Sequence, residues 1–309
     1  MTSARVSVII CCYTLDRLAD VHEAVDSVLA QTLTPHEIVI SVDHNEELLE
    51  RLREELPPSV ALVSNDGERG LSETRNVGVR AATGDIVAFI DDDAVAEPEW
   101  LERLTRPFSD PRVAGVGGRA VPLWIDGEKR TWFPEELYWT VGCTYEGMPV
   151  AKGGIRNVMG CNMAFRKEVL SLVGLFGTGL GRVGKGVSGT AEETETCLRI
   201  RQANHDRLIV FQPDARILHK VPSSRLTARY LLFRSWDEGL HKAKMNRTFA
   251  HQPSLSVEAS YLRHLLFKGI PRRLMHPFRG ASLTQAGAIL ASIMATGAGF
   301  AWGLIRGRR

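Results

Sequence analysis

Cysteine is scarce in this 309-residue sequence, and its few cysteines are scattered. None of the five forms a pair at metal-ligand spacing, and Cys11 and Cys12 are adjacent in an apparent strand, where neighbouring side chains point to opposite faces. An odd, scattered set is typical of reduced thiols rather than of a disulfide framework. The sequence also lacks a targeting pattern before its first apolar run at residue 5, so we expect catalysis in the cytosol.

Acidic residues are absent after Glu258. The rest of the chain contains eight Lys and Arg residues and no Asp or Glu, whereas the preceding part has 30 basic against 36 acidic residues. A mildly acidic body followed by a basic tail predicts a catalytic domain and a segment that is attracted to an anionic surface.

The first 95 residues alternate between apolar strand patterns and amphipathic helix patterns. Strands are expected at residues 6–12, 36–42, 60–64 and 86–90, with a helix after each of the first three. This alternation predicts the α/β class, with an open, mainly parallel sheet and helices on both faces.

Polar residues follow the carboxyl end of every predicted strand. Open α/β sheets bind their ligands at this edge. The four strand ends are Tyr13-Thr14, Asp43-His44-Asn45, Asn65-Asp66-Gly67 and Asp91-Asp92-Asp93. Their convergence predicts a ligand site.

The run Asp91-Asp92-Asp93 is the most specific of these ends. Three adjacent carboxylates repel one another unless a cation or strong donors neutralise them. Hard oxygen ligands suit Mg²⁺ or Mn²⁺ that bridges phosphate oxygens. The run therefore predicts a divalent cation site, with a solvated acidic turn as the alternative.

Five blocks of the sequence, in this order, resemble family 2 glycosyltransferases. They cover roughly residues 5–220 and comprise residues 8–14, 70–78, 89–93, 160–166 and 191–199. The resemblance implies the GT-A fold, a Rossmann-like mixed, mainly parallel sheet with flanking helices. It also implies a nucleotide-diphosphate sugar donor and inversion at the anomeric carbon.

The resemblance assigns roles to individual residues. It places the donor nucleotide against Tyr13, Thr14, Asp43, Arg75, Asp91 and Asp92. It makes Asp93 a metal ligand, with His219 as a further ligand or a structural histidine. The acceptor side would be lined by Gly160, Asn162 and Met163.

Glu193 stands where the family places its catalytic carboxylate, and the adjacent Glu192 is the alternative. A carboxylate can act as general base toward an acceptor hydroxyl. An acidic residue that complements the N-terminus of a helix is the structural alternative for Glu193.

A glycine-rich segment, residues 179–186, nearly spells a phosphate-binding P-loop. Gly186 stands where the motif needs Ser or Thr, and no buried strand leads into the segment. We therefore predict that residues 177–189 form a loop that orders over bound donor.

Residues 281–305 carry no charge and are long enough to cross a bilayer. A single crossing would export the C-terminal arginines, against the positive-inside tendency, whereas an in-plane or re-entrant segment would not. A buried helix pair in a soluble protein is the alternative. Close helix contact is expected at Gly287, Gly297, Gly299 and Gly303.

The sequence predicts a GT-A catalytic domain over residues 1–222, with a nucleotide-binding half to about residue 95 and an acceptor half over about 96–222. Residues 223–309 would form a helical, membrane-associating region. The expected enzyme is a bacterial-type glycosyltransferase on the cytosolic face of a membrane. It would move a sugar, from a UDP-sugar, to a lipid-linked or surface glycan and would not bind nucleic acid.

Two other functions remain open from the residues. One is a nucleotidyltransferase, although the glycine-rich, basic loop that usually follows its first strand is missing after Cys12. The other is a catalytically silent module that binds sugar nucleotides or glycans.

Overall fold

The computed structural model describes residues 4–127, 129–148, 154–178, 192–249 and 256–306. The chain divides into two compact units, residues 1–121 with 151–219 (unit 1) and residues 122–150 with 220–309 (unit 2). The P-loop-like segment and nearly all of the loop predicted at 177–189 lie outside the described residues.

Unit 1 begins with the predicted parallel strands. The strands are β1 (Val6–Cys12), β2 (Glu37–Asp43), β3 (Val60–Asn65) and β4 (Ile86–Asp91). The helices between them are α1 (Leu18–Leu29), α2 (Glu46–Glu55) and α3 (Leu71–Ala81). β1 pairs in parallel with β2 and β4, and β2 pairs in parallel with β3. The predicted alternation is confirmed.

The second half of unit 1 adds antiparallel strands. The elements that begin in this half are β5 (Ala94–Ala96), α4 (Trp100–Thr105), β6 (Val113–Trp124), β7 (Asn162–Arg166), α5 (Lys167–Leu172), α6 (Glu192–Ala203) and β8 (Leu208–Val221). The strand order is β3-β2-β1-β4-β7-β6-β8-β5, and β7 is antiparallel to β4. Because Asn162 pairs with Ile90, β7 starts at the edge where β4 ends.

β1 is buried on both faces, as its continuous apolar sequence requires. Val8 and Ile10 belong to one core cluster, and Ile9 belongs to the cluster on the other face. On the Ile9 side, α3 approaches at Gly78, where an added Cβ would lie 2.6 Å from Cγ2 of Ile9. This close packing fixes the helix that carries Arg75.

Unit 2 is mainly helical. It contains α7 (Ala228–Thr248), α8 (Ser256–His264), a π-helical turn (Leu265–Gly269), α9 (Ile270–Leu274) and α10 (Ser282–Arg306). Its apolar core includes Phe133 and Leu137, which pack with residues of these helices. The carboxylate of the fully buried Glu136 is bound by Arg273 at 2.7 and 2.8 Å.

Helices α7 and α10 pack closely through glycines. A Cβ at Gly299 would lie 2.2 Å from the carbonyl oxygen of Trp236, and one at Gly303 would lie 2.7 Å from Cβ of Ala243. Gly287 and Gly297 have no such neighbour within 4 Å. The close contact predicted for four glycines is therefore made by two of them.

Within the described residues, α10 is the one helix that is long and apolar enough to cross a membrane. This criterion concerns length and composition only, and the core helix of a soluble protein can also meet it.

Candidate active site

The acidic run lies where β4 ends, within unit 1. Asp91 is the last residue of β4 and its side chain is 32% exposed, whereas Asp92 and Asp93 are buried. Nη1 of Arg17 donates to Oδ1 of Asp92 at 2.6 Å, and Nη2 of Arg17 lies 3.0 Å from Oδ2 of Asp93. One guanidinium therefore compensates part of the charge of both buried carboxylates.

Burial also changes the proton affinity of Asp92. It raises the pKa of this carboxyl to about 7, against the opposing effect of Arg17 and with the support of the charges on Asp93 and Asp91. Loss of solvation disfavours the charged form of a carboxyl. Burial thus favours the protonated form of Asp92.

Asp91, Asp93 and His219 form a group that can hold a metal ion. One ligand atom from each of the three lies within 4.8 Å of the others. The sheet brings them together, because β5 pairs antiparallel with β8 and places His219 opposite Ala94. Two carboxylates and an imidazole are a donor set that divalent cations accept, so the side chains fit the predicted cofactor.

Arg75 connects this group with α6. Its buried guanidinium donates from Nη1 to Oε1 of Glu192 at 2.8 Å, and its Nη2 lies 3.5 Å from Oδ1 of Asp91. Nη2 also donates to the carbonyl oxygen of Gly160 at 3.1 Å. A Cβ at Gly160 would lie 2.8 Å from that nitrogen, so glycine leaves the space that Arg75 occupies.

The two glutamates at the start of α6 differ in their surroundings. Glu192 is buried, and burial raises its pKa although the charge of Arg75 opposes this. Glu193 is half-buried, and its charge contributes to raising the pKa of Arg75. Both carboxylates therefore belong to the electrostatic surroundings of Arg75.

Asp43 is held rigidly at the end of β2. Its Oδ1 accepts from Nδ2 of Asn65 at 2.9 Å, and its Oδ2 accepts from the backbone N–H of Gly70 at 3.1 Å. Gly70 has a φ of +130°, which favours glycine. Nδ1 of His44 lies 2.8 Å from Oδ1 of Asp43.

Tyr13 and Thr14 follow β1 at the same edge. Oγ1 of Thr14 accepts from the backbone N–H of Asp16 at 3.3 Å and caps the short turn that ends at Arg17. The guanidinium of Arg17 lies 5.9 Å from the centre of the Tyr13 ring. The turn therefore links the predicted nucleotide residues with the acidic run.

Of the three predicted acceptor residues, two are enclosed by the scaffold. Oδ1 of Asn162 accepts from Nε1 of Trp100 at 2.8 Å, and its Nδ2 donates to the carbonyl oxygen of Ala215 at 3.0 Å. Met163 is fully buried in the core. Gly160 contacts Arg75 instead, so contact of this segment with an acceptor stays a prediction.

Sequence reasoning placed Asn65 at a predicted strand end but gave it no role, and it missed Arg17 and Trp100. Arg17 is one arginine among many, and Trp100 lies in a helix pattern, so the sequence contains no local sign of their partners.

The profile of the family described as "Glycosyl transferase family 2" matches residues 7–174. This chain belongs to glycosyltransferase family 2. It is therefore an enzyme that transfers sugars from nucleotide-sugar donors, as the resemblance of its five sequence blocks predicted.

Two curated relatives and a solved structure extend the comparison. The glucosyl-dolichyl phosphate glucuronosyltransferase of Haloferax volcanii is 37% identical over 97% of this chain and 96% of its own length. The succinoglycan biosynthesis protein ExoM of Rhizobium meliloti is 28% identical over 69% of this chain and 66% of its own.

The solved structure is the mannosyltransferase PcManGT of Pyrobaculum calidifontis, in complex with GDP-Man and Mn²⁺. It is 20% identical, has a TM-score of 0.61, and the match covers 98% of this chain and 88% of that one. This likeness confirms the predicted GT-A fold.

Proposed function

We propose that this family 2 enzyme transfers a sugar from a UDP-sugar to a hydroxyl of a lipid-linked or surface glycan, with inversion, at the cytosolic face of a membrane. One observation carries the proposal. The cation group of Asp91, Asp93 and His219 adjoins the Arg75–Glu192 ion pair at a single sheet edge. This proximity supports a model in which the diphosphate would bind beside the acceptor.

Asp91, Asp93 and His219 would hold Mn²⁺ or Mg²⁺. When bound, the cation would supply charge stabilisation to the departing diphosphate. Asp93 and His219 are buried and fixed by neighbouring strands, whereas Asp91 is more exposed. This arrangement presents one side of the cation group to a ligand.

The nucleoside would lie at the ends of β1 and β2. Asp43 is held by Asn65 and Gly70, so one carboxylate can accept a hydrogen bond from a base without reorganising. Tyr13 and Thr14 line the same edge, and Asp92 would orient the ribose. Arg75, with Nη2 3.5 Å from Oδ1 of Asp91, would fix the position of that carboxylate between nucleotide and acceptor.

Glu193 fits the role of general base better than Glu192 does. An inverting displacement needs a carboxylate that takes the proton of the attacking hydroxyl. Glu192 is buried and paired with Arg75 at 2.8 Å, whereas Glu193 is half-buried at the start of the same helix. Glu192 would then position Arg75, and Glu193 would accept the proton.

A lipid-linked acceptor is supported by the relative of Haloferax volcanii, whose name specifies a dolichyl phosphate. The basic segment after Glu258 supports a location at an anionic membrane surface.

Donor binding gives the decisive test. Nucleotide sugars are screened for an increase in the melting temperature of the full chain with and without Mn²⁺, because a ligand of the folded state stabilises it. A UDP-sugar should be the best donor, and Asp93→Ala should abolish its Mn²⁺-dependent effect. Glu50→Ala, on the exposed side of α2, is the matched control.

Catalysis is tested separately. Glu193→Gln should keep the donor-induced stabilisation and lower transfer by about 100-fold or more, with product stereochemistry read by NMR. Full activity of Glu193→Gln would show that another residue is the general base. A metal response that survives Asp93→Ala would contradict the cation site.

A further inference from the structure

Helix α10 has an outward face that exposes several large apolar side chains. The exposed large side chains recur at spacings of seven, four, eight and three residues, which place them on one side of a helix, and they are Leu283, Leu290, Met294, Trp302 and Ile305. Met294, near the middle, is 67% exposed. No charged residue occurs from Ala281 to Ile305. An apolar surface that runs along a whole helix indicates a partner.

The opposite face of α10 is occupied by α7. Oγ of Ser235 and Oγ of Ser292 lie 2.8 Å apart, and Nη1 of Arg247 donates to the carbonyl oxygen of Gly303 at 2.8 Å. The later contact joins residues that lie further along both helices, so α7 and α10 run parallel to each other. If the second half of α10 entered the membrane, the part of α7 that packs against it would reach the same depth.

Helix α7 is unsuited to the hydrocarbon layer. Between Ser235 and Arg247 it carries Asp237, Glu238, His241, Lys242 and Lys244. Lys242 bridges Glu238 and Glu258 at 2.8 and 2.7 Å, so much of this charge is paired within unit 2. Charged side chains at the centre of a bilayer are costly. A transmembrane α10 would require α7 to separate from it.

The segment before α10 exposes apolar and basic side chains together. Phe267 is 74% exposed and Phe278 is 96% exposed, and Met275 between them is also exposed. The same segment exposes Arg263, Lys268 and Arg279 and contains no acidic residue. Aromatic residues beside basic ones suit an interface with anionic lipid headgroups.

We propose that α10 does not cross the membrane but lies in the plane of one leaflet, with its outward face in the acyl boundary and residues 263–279 on anionic headgroups. This proposal rests on the proposed function in one respect, the location of the enzyme at a membrane. An in-plane helix also keeps Arg306 on the same side as Arg279, as the positive-inside tendency favours. The absence of acidic residues after Glu258 favours lipid over a second copy of this basic surface.

Depth measurement distinguishes the two placements. Nitroxide labels at Leu283→Cys, Met294→Cys and Ile305→Cys in the full chain, bound to phosphatidylglycerol-containing vesicles, report depth by EPR accessibility. The wild-type chain treated with the same reagent corrects for labelling of the native cysteines. We expect all three labels at one shallow depth of about 5–10 Å. A Met294 label near the bilayer centre, about 15 Å deep, with shallow labels at both ends would overturn the proposal.

Vesicle flotation tests the surface itself. Phe267→Glu and Phe278→Glu should each weaken binding about tenfold. Lys268→Gln should lower the preference for anionic over neutral vesicles about fivefold. Leu172→Glu is the matched control, since Leu172 is 78% exposed but belongs to unit 1. Equal losses in all variants, or none in either phenylalanine variant, would contradict the assigned surface.

A water-soluble, short-chain acceptor separates this proposal from the proposed function. The Phe267 and Phe278 variants should transfer sugar to it as wild type does. Normal transfer by wild type without flotation would refute the membrane surface alone. Normal flotation without transfer to any glycan acceptor would refute the proposed function alone.

Discussion

The guanidinium of Arg17 donates to Asp92 over 2.6 Å and also lies 3.0 Å from the carboxylate of Asp93. The positive charge of Arg17 therefore lies next to buried carboxylate oxygens that water solvates poorly. Arg17 thereby lowers the repulsion among three adjacent carboxylates before any cation binds. A cation at Asp93 would share this carboxylate with Arg17.

Removal of Arg17 should destabilise unit 1. At pH 8, above the pKa of Asp92, Arg17→Met leaves Asp92 buried without its partner, and loss of one member of a buried ion pair costs about 3–5 kcal/mol of the free energy of unfolding. Adding Asp92→Asn should restore part of this loss, with a coupling energy of about 1–3 kcal/mol in urea unfolding. Arg53→Met, at an exposed pair on α2, should change stability by less than about 1 kcal/mol. A double variant that shows purely additive losses would contradict the coupling.

The raised pKa of Asp92 predicts a pH dependence of stability. Its ordinary pKa is 3.8, and burial raises it to about 7 in the folded chain. Because the folded state then binds the proton more tightly than the unfolded state, stability should fall as pH rises from about 4 to about 7 and level off above. The fall from this group is at most about 4 kcal/mol.

Thermal unfolding with a chelator across this range checks the sign. Asp92→Asn should flatten the profile. Mn²⁺ should also reduce the loss near neutral pH, because a cation at the neighbouring carboxylates favours the charged form of Asp92. Wild-type stability that rises between pH 4 and pH 7 by the same amount as that of Asp92→Asn would exclude this role.

The parallel half of the fold was predictable because each of its strands is a continuous apolar run and each helix follows at once. Asp43 and Asp91 stand directly at strand ends, so their shared edge follows from the topology alone. The strands that run antiparallel to this half were harder to predict. The position of Asn162 depends on β7 reversing beside β4, and no periodicity in the sequence encodes that reversal.

Long-range ion pairs were likewise beyond sequence reasoning. Arg75 and Glu192 are separated by 117 positions, and their pairing depends on the packing of α3 and α6 in unit 1. Family resemblance assigned Arg75 to the nucleotide and Glu192 to the alternative for the catalytic carboxylate, but it did not pair them. The structure supplies the reason that Glu192 and Glu193 are unequal.

Gly160→Ala should impair catalysis more than stability. The new Cβ would lie 2.8 Å from Nη2 of Arg75, so the guanidinium must shift away from Glu192 or Asp91. A displacement of this size in a positioning residue can lower kcat by about 100-fold. Gly287→Ala, which meets no atom within 4 Å and belongs to unit 2, is the control and should keep wild-type kcat. Equal kcat in both variants would show that Arg75 does not need its present position.

Glycines of α10 should divide into two classes when replaced by alanine. Gly299→Ala places a Cβ 2.2 Å from the carbonyl oxygen of Trp236, so α7 and α10 must separate, at a cost of about 1–3 kcal/mol. Gly287→Ala meets no atom within 4 Å and should instead gain up to about 1 kcal/mol from better helix propensity. Urea unfolding of the full chain in detergent, followed by circular dichroism, measures both. Because the two substitutions add the same methyl group to the same helix, opposite signs would establish close α7–α10 packing, and stabilisation by Gly299→Ala would refute it.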